Sequence, residues 1–428
     1  MKKLVLMTLF FAFIATYAQD KRSLNNYREP GQAGLNVFEA PKDTATVAFD
    51  GVKVRIGGAS TMQFQALDHE NGWVDTTDET SPWFEQDPLV EIGSNFNLPT
   101  ANLDFDVQLA DGVRMHLRTY LSARHHREAW VKGGYIQIDN LNFLGEGTLS
   151  EMMKYVTIKV GQMENNYGDM HFRRSDNAQA IYNPFVGNAI MDAFTTEVGG
   201  EIYYRNNGWM AMLGLTNGKL NQSVASPETT SPSFLAKLGW DKQVNADLRV
   251  RLTGSLYNAA HASRTYLYSG DRAGSRYYLV METSSDATGN FKSGRFDPGF
   301  RNQLTAIQFN PFVKYKGFEF FGIYENASGY VNGEDSRSFT QIMAEALYRF
   351  GSNENFYLGA RYNTVSGEMT ATEEVSIDRF SLAAGFFLTK NVLAKLEYTT
   401  QSYNDFLEGD QRFDGKFDGL TVEAVISF

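Results

Sequence analysis

The chain has 428 residues, 21% charged and 43% hydrophobic, with 38 Gly, 22 Tyr, 32 Phe and no Cys. That apolar and aromatic content excludes a disordered chain, and the lack of Cys excludes a disulfide scaffold, a thiolate metal site and a Cys nucleophile. A mean hydropathy of −0.35 is too polar for a helical membrane protein, and a formal charge of −11 argues against nucleic acid as a partner.

Residues 1–18 carry Lys2 and Lys3, then an apolar run from Leu4 to Ile14, then small residues at Thr16 and Ala18. This is the pattern of a cleaved signal peptide, and the run is short of the ~20 residues a spanning helix needs. Without Lys2 and Lys3 the exported chain has 37 basic against 50 acidic residues, a net of −13. Residues 19–51 read as a periplasmic or barrel-plugging arm, although 44–49 could pair as an extra strand.

From Val52 onward the pattern is apolar–polar alternation, the signature of strands. Strand one points Lys53 and Arg55 to the polar side. The loop after it is acidic, with Asp68, Glu70, Asp75, Asp78, Glu79, Glu85 and Asp87; such carboxylates suit Ca²⁺, but no EF-hand spacing is present. Strand two sets Asp104 and Asp106 between Leu103, Phe105 and Val107. After the turn Ala110-Asp111-Gly112, strand three turns Arg114, His116, Arg118, Tyr120, Ser122 and Arg124 to the same side. That makes a basic ladder with rungs ~6.6 Å apart. His125-His126 reads as a hairpin tip without a third metal ligand. Strand four carries Lys132, with Gly133-Gly134 as a bulge that shifts the phase. A longer turn spans about 139–153, and strand five sets Lys159 opposite Ile158 and Val160.

A loop of about thirty residues, 164–195, follows; it contains His171, Arg173 and Arg174 and is long enough to fold inward as a constriction. Short turns then recur at 206–208, 243–246, 316–317, 351–355 and 389–391, separated by strands such as 342–350, 380–388 and 392–398. A second long loop, 259–301, carries Arg264, Arg272, Arg276 and Arg295 and is placed to cover a mouth. The chain closes on a strand at 420–428 that ends in Phe428.

Strands of about ten residues match a tilted bilayer crossing, and aromatics such as Phe350, Phe356, Tyr398 and Phe428 fall near strand ends, where interfacial girdles sit. Eight hairpins give a transmembrane antiparallel β-barrel of sixteen strands, or eighteen with an extra pair, over residues 52–428. Short turns are then periplasmic and long loops extracellular. Lipid cannot satisfy free backbone groups, so the sheet must close, and at this size a water channel remains.

The succession of signal peptide, acidic loop, basic strand, Val160-Gly161-Gln162-Met163-Glu164-Asn165-Asn166-Tyr167-Gly168, long loop and terminal Phe resembles outer-membrane porins, and most of all the phosphate-selective porin O/P-like group of Bacteroidota. The resemblance implies a homotrimeric passive channel in the outer membrane, with Arg114, Arg118 and Arg124 as a ladder and Arg173 and Arg174 at the constriction. The sequence departs from that group in its acidic net charge and in lacking a lysine cluster in the third loop.

The reading is therefore a porin for small hydrophilic solutes or anions, in contact with outer-membrane lipid, with no catalytic site, metal or cofactor. Its pore-lining residues are Lys53, Arg55, Asp104, Asp106, Arg114, His116, Arg118, Arg124, Lys159, His171, Arg173 and Arg174. The alternatives are a carrier for hydrophobic compounds, which wants an apolar lumen, and a non-conducting adhesive or structural barrel.

Overall fold

The computed structural model describes residues 24–42, 48–73, 76–84, 86–122, 129–174, 178–220, 231–269, 276–285, 293–370 and 373–428. The signal peptide, most of the segment read as an extra strand, and Asp75, Glu85, Arg124, His125-His126 and Arg272 lie outside the described residues.

Sixteen antiparallel strands form one closed barrel in which each pairs with its sequence neighbours and β1 pairs with β16. They run β1 Lys53–Glu70, β2 Asn95–Ala110, β3 Val113–Ser122, β4 Trp130–Ile138, β5 Val156–Glu164, β6 Thr196–Asn206, β7 Trp209–Thr216 and β8 Ser233–Gln243. The second half runs β9 Leu248–Ala259, β10 Gln303–Tyr315, β11 Phe318–Tyr330, β12 Arg337–Phe350, β13 Phe356–Thr370, β14 Glu373–Thr389, β15 Val392–Asn404 and β16 Lys416–Ser427. The described strand count is sixteen, and every short turn falls where Gly and Asn placed it. At Asn207-Gly208 both residues have positive φ, the geometry a two-residue hairpin needs to follow the twist of its strands.

Strand length departs from the uniform ten residues expected. The range is 8 for β7 to 18 for β1. Nine to eleven residues suffice to cross a bilayer, so the longer strands extend beyond it. Outward positions along each strand are exposed and apolar, among them Ile56, Leu103, Val160, Leu213, Leu252, Ile342, Leu382, Leu396 and Val422. In water this surface would be untenable; facing lipid it is the expected belt. Exposed aromatics gather at the short-turn end, with Tyr204, Trp209, Tyr315, Phe318, Tyr348, Phe350 and Phe356.

Inward positions carry the polar set, and the lumen is not left to water alone. The loops between β5 and β6 and between β9 and β10 enter it and supply much of one buried cluster, including Tyr167, Ile190, Met191, Leu267, Tyr277 and Phe296, packed on wall residues Leu304, Phe339, Val365 and Tyr403. A sixteen-stranded wall is too wide for its own side chains to fill. Here chain segments fill a large part of it instead.

Candidate functional site in the barrel lumen

Three segments shape the lumen. The first is the β5–β6 loop. It leaves the wall at Gly168, whose φ of +68° disfavours any L side chain and where a Cβ would have to displace the Gln308 carboxamide. Beside it, Asp169 is fully buried. Its carboxylate accepts from Arg251 Nε and Nη2 at 2.8 Å each and from Thr253 Oγ1 at 2.9 Å, and lies 2.7 Å from Lys237 Nζ. Burial alone would raise the Asp169 carboxyl, but Arg251 and Lys237 outweigh it and hold the group below its usual range.

The loop then crosses to the opposite wall. Val186 N–H donates to Glu397 on β15, Ile190 N–H to Asn363 on β13, and Met191 N–H to Gln341 on β12. In return Lys395 donates to the carbonyls of Ala180, Asn183 and Phe185, Arg361 to that of Gly187, and Arg379 to that of Asn188. Buried backbone groups must find partners, and this wall supplies them.

The second segment is the β9–β10 loop. Its Tyr277 hydroxyl donates to Glu397 and its Tyr268 hydroxyl to Glu325, while Phe296 N–H donates to the carbonyl of Ile190 in the β5–β6 loop. Arg276 reaches Thr61 on β1, and Arg295 lies 3.8 Å from Asp192.

The third is the arm, residues 24–42, at the short-turn end. Gln32 N–H donates to Lys390 O in the β14–β15 turn, and Asn36 Nδ2 to Glu319 at 2.7 Å. Phe38 packs on Phe172, Phe312 and Phe321. Glu39 pairs with Arg251 at 2.8 Å, and Lys42 donates to the carbonyls of Asp139 and Val156. Thus the arm touches the turns or strand ends of β4, β5, β9, β11 and β15.

Between these segments and the β1–β6 wall lies a cavity of about 180 Å³. Arg55, Asp104, Asp106, Arg114, His116, Arg118, Lys159 and His171 all line it, so eight of the sequence-chosen residues converge. Register explains this: Asp104 faces Arg118 and Asp106 faces His116 across β2 and β3. Arg118 binds Asp104 through two bonds of 2.7 Å. Arg114 Nη1 donates to Asp106 at 3.0 Å, with Arg55 at 3.7 Å and His116 Nδ1 at 2.8 Å from the same carboxylate. His171 Nδ1 lies 2.8 Å from Glu164. Lys132 also lines the cavity. Opposite Arg118 and Thr119 the β4 register slips by one residue, so Lys132, Tyr135 and Gln137 all face in despite their mixed parity.

The remaining choices stand elsewhere. Lys53 pairs with the exposed Asp50 at the short-turn end. Arg173 binds Glu345 on β12 at 2.6 Å, and Arg174 binds Asp192 within its own loop at 2.7 Å. Both arginines are buried and charge-matched, and neither lines the cavity. They brace the loop. Sequence reasoning did not single out Tyr27, Arg28 and Tyr182, which line the cavity from the arm and loop, nor Glu345, Arg361 and Glu397 on the far wall. The wall residues carried a usable signal, since each sits between outward apolar neighbours. The arm residues carried none. In the acidic β1–β2 loop, no group of three or more carboxylates and imidazoles converges among the described residues.

By charge, the cavity lining holds six Lys and Arg side chains, Arg28, Arg55, Arg114, Arg118, Lys132 and Lys159, against four carboxylates, Glu39, Asp104, Asp106 and Glu164. It carries an excess of two positive charges inside a chain whose net charge is −11.

No protein-family model and no curated protein matches the chain. Solved structures do resemble it in fold. OmpT of Vibrio cholerae, in its trimer form, aligns over 89% of this chain and 100% of its own, with a TM-score of 0.52 and 12% identity. The anion-selective porin of Comamonas acidovorans aligns over 88% and 100%, at 0.53 and 11%. OprB of Pseudomonas putida aligns over 88% and 94%, at 0.53 and 10%. The fold is that of the outer-membrane porin barrels.

Proposed function

We propose that this chain is an outer-membrane porin: a passive channel for small hydrophilic solutes that favours anions and assembles as a homotrimer. The short-turn end and the arm face the periplasm, and the long loops face outward. The observation that carries anion preference is the local excess of two cations in the cavity lining. Fixed charge in a narrow, low-dielectric passage selects by sign, whatever the charge of the distant surface. The trimer form of the OmpT barrel supports the assembly, and the anion-selective barrel from Comamonas acidovorans supports the selectivity. The kinship with the phosphate-selective group remains part of this proposal. A carrier for hydrophobic compounds would want an apolar passage, whereas ten charged side chains line this cavity beside its aromatic ones.

Flux into proteoliposomes of gluconate, glucose and glucosamine, similar in size and different in charge, tests the proposal. The expected order is gluconate, then glucose, then glucosamine, with the extremes about tenfold apart, the lower end of electrostatic enrichment in charged clefts. The reverse order would sink the anion preference, and no flux would sink the channel.

A further inference from the structure

This inference rests on the channel reading above. Most cavity cations are already committed: Arg118 to Asp104, Arg114 to Asp106, Arg28 to the carbonyls of Gly34 and Phe172. Lys159 differs. It faces in from β5, its ammonium 5.0 Å from the ring centre of Tyr203 and 5.5 Å from that of Tyr135. Among the described residues it has no hydrogen-bond acceptor and no carboxylate within ion-pair distance. The carboxylate opposite it, Glu201, is taken up by the Tyr203 hydroxyl and the Asn166 N–H. Aromatic faces attract an ammonium yet accept no strong hydrogen bond, so its three N–H donors stay available to the cavity.

We propose that Lys159 is the specificity-determining residue of the lumen, where its ammonium, held between Tyr135 and Tyr203, binds the oxyanion head of a passing solute, a carboxylate or a phosphate. Arg118, Arg114 and Arg28 shape the field with donors already engaged, and Arg55, although it makes no hydrogen bond among the described residues, is charge-matched at 3.7 Å by Asp106. Lys159 is the step at which the solute exchanges water for protein.

The test is the full-length mature channel in planar bilayers, as wild type, Lys159→Gln, Lys159→Arg and Lys316→Gln. Lys316 lies on the exposed β10–β11 turn, 59% exposed, so its loss removes the same charge outside the lumen. Lys159→Gln should lower the chloride-to-potassium permeability ratio roughly fivefold, about 1 kcal/mol at 1.4 kcal/mol per tenfold. Lys159→Arg should keep the ratio, and Lys316→Gln should not move it. In the wild type, millimolar sodium acetate or sodium phosphate should reduce chloride current, and Lys159→Gln should abolish that block. The stronger blocker distinguishes a carboxylate from a phosphate as the preferred head. A conducting Lys159→Gln channel with unchanged ratio, or a wild type that neither anion blocks, overturns the proposal while the channel reading stands. A silent wild-type barrel overturns both.

Discussion

The Asp169→Ala variant is expected to lose about 3–5 kcal/mol of stability, the range for removing one partner of a buried ion pair. The cost comes from what is left behind. Lys237 and Arg251, both almost wholly buried, would face each other across the space their shared carboxylate had filled. Glu39 of the arm, 3.3 Å from Lys237 and 2.8 Å from Arg251, compensates only in part. Asp169 also fastens the base of the β5–β6 loop, since its own N–H donates to Asn310 on β10. Losing it should therefore free the loop as well as weaken the barrel. In urea titrations of the refolded barrel the midpoint should fall, and in bilayers the open-channel current should become larger and noisier. An unchanged midpoint together with an unchanged current would show that this cluster does not hold the loop.

Removing residues 24–42 is expected to raise single-channel conductance on the order of twofold, because the sixteen-stranded wall behind the arm encloses a lumen wide enough for water. The arm lies across the short-turn end, tied at Lys390, Glu319, Arg249, Arg251, Asp139 and Val156. Those ties reach both sides of the barrel, so the arm narrows the exit instead of lining one edge of it. Barrel stability should change far less than in Asp169→Ala, since all sixteen strand pairings and the loop anchors on β12 to β15 remain. Conductance equal to wild type after the deletion would mean that ions pass where the arm does not reach. The Asp169 and arm variants are also linked: Arg251 and Lys237 serve both segments, so their combined effect on conductance should differ from the sum.

The wall was legible in the sequence to the level of single side chains. Period-2 alternation in Phe380, Leu382 and Ala384 fixes Arg379 and Ser381 as inward, and the same rule on β3 turns Arg114, His116 and Arg118 toward Asp104 and Asp106. Turn chemistry located the hairpins because only a few residues take positive φ cheaply. The loop at 164–195 announced itself by its length. Its fastening did not. Arg173 meets Glu345 across 172 residues and Val186 meets Glu397 across 211, and no local pattern encodes such pairs. The same limit hides the partners of Arg173 and Arg174: in the sequence they are two adjacent arginines in a long loop, while the fold sets them on the buried carboxylates Glu345 and Asp192. Nor does composition reveal that an acidic chain keeps a basic cavity. Four carboxylates do line the cavity, but six cations outnumber them, and Glu319, Glu325, Glu345 and Glu397 stand on the far wall outside its lining.

The most direct test is the zero-current potential of the wild-type channel under a potassium chloride gradient in a planar bilayer. Steady conductance with chloride more permeant than potassium is the predicted result. Conductance with potassium preferred would mean that the far-wall glutamates, not the cavity lined by Arg55, Arg114, Arg118 and Lys159, govern passage, and a folded barrel that passes no current would contradict the channel itself.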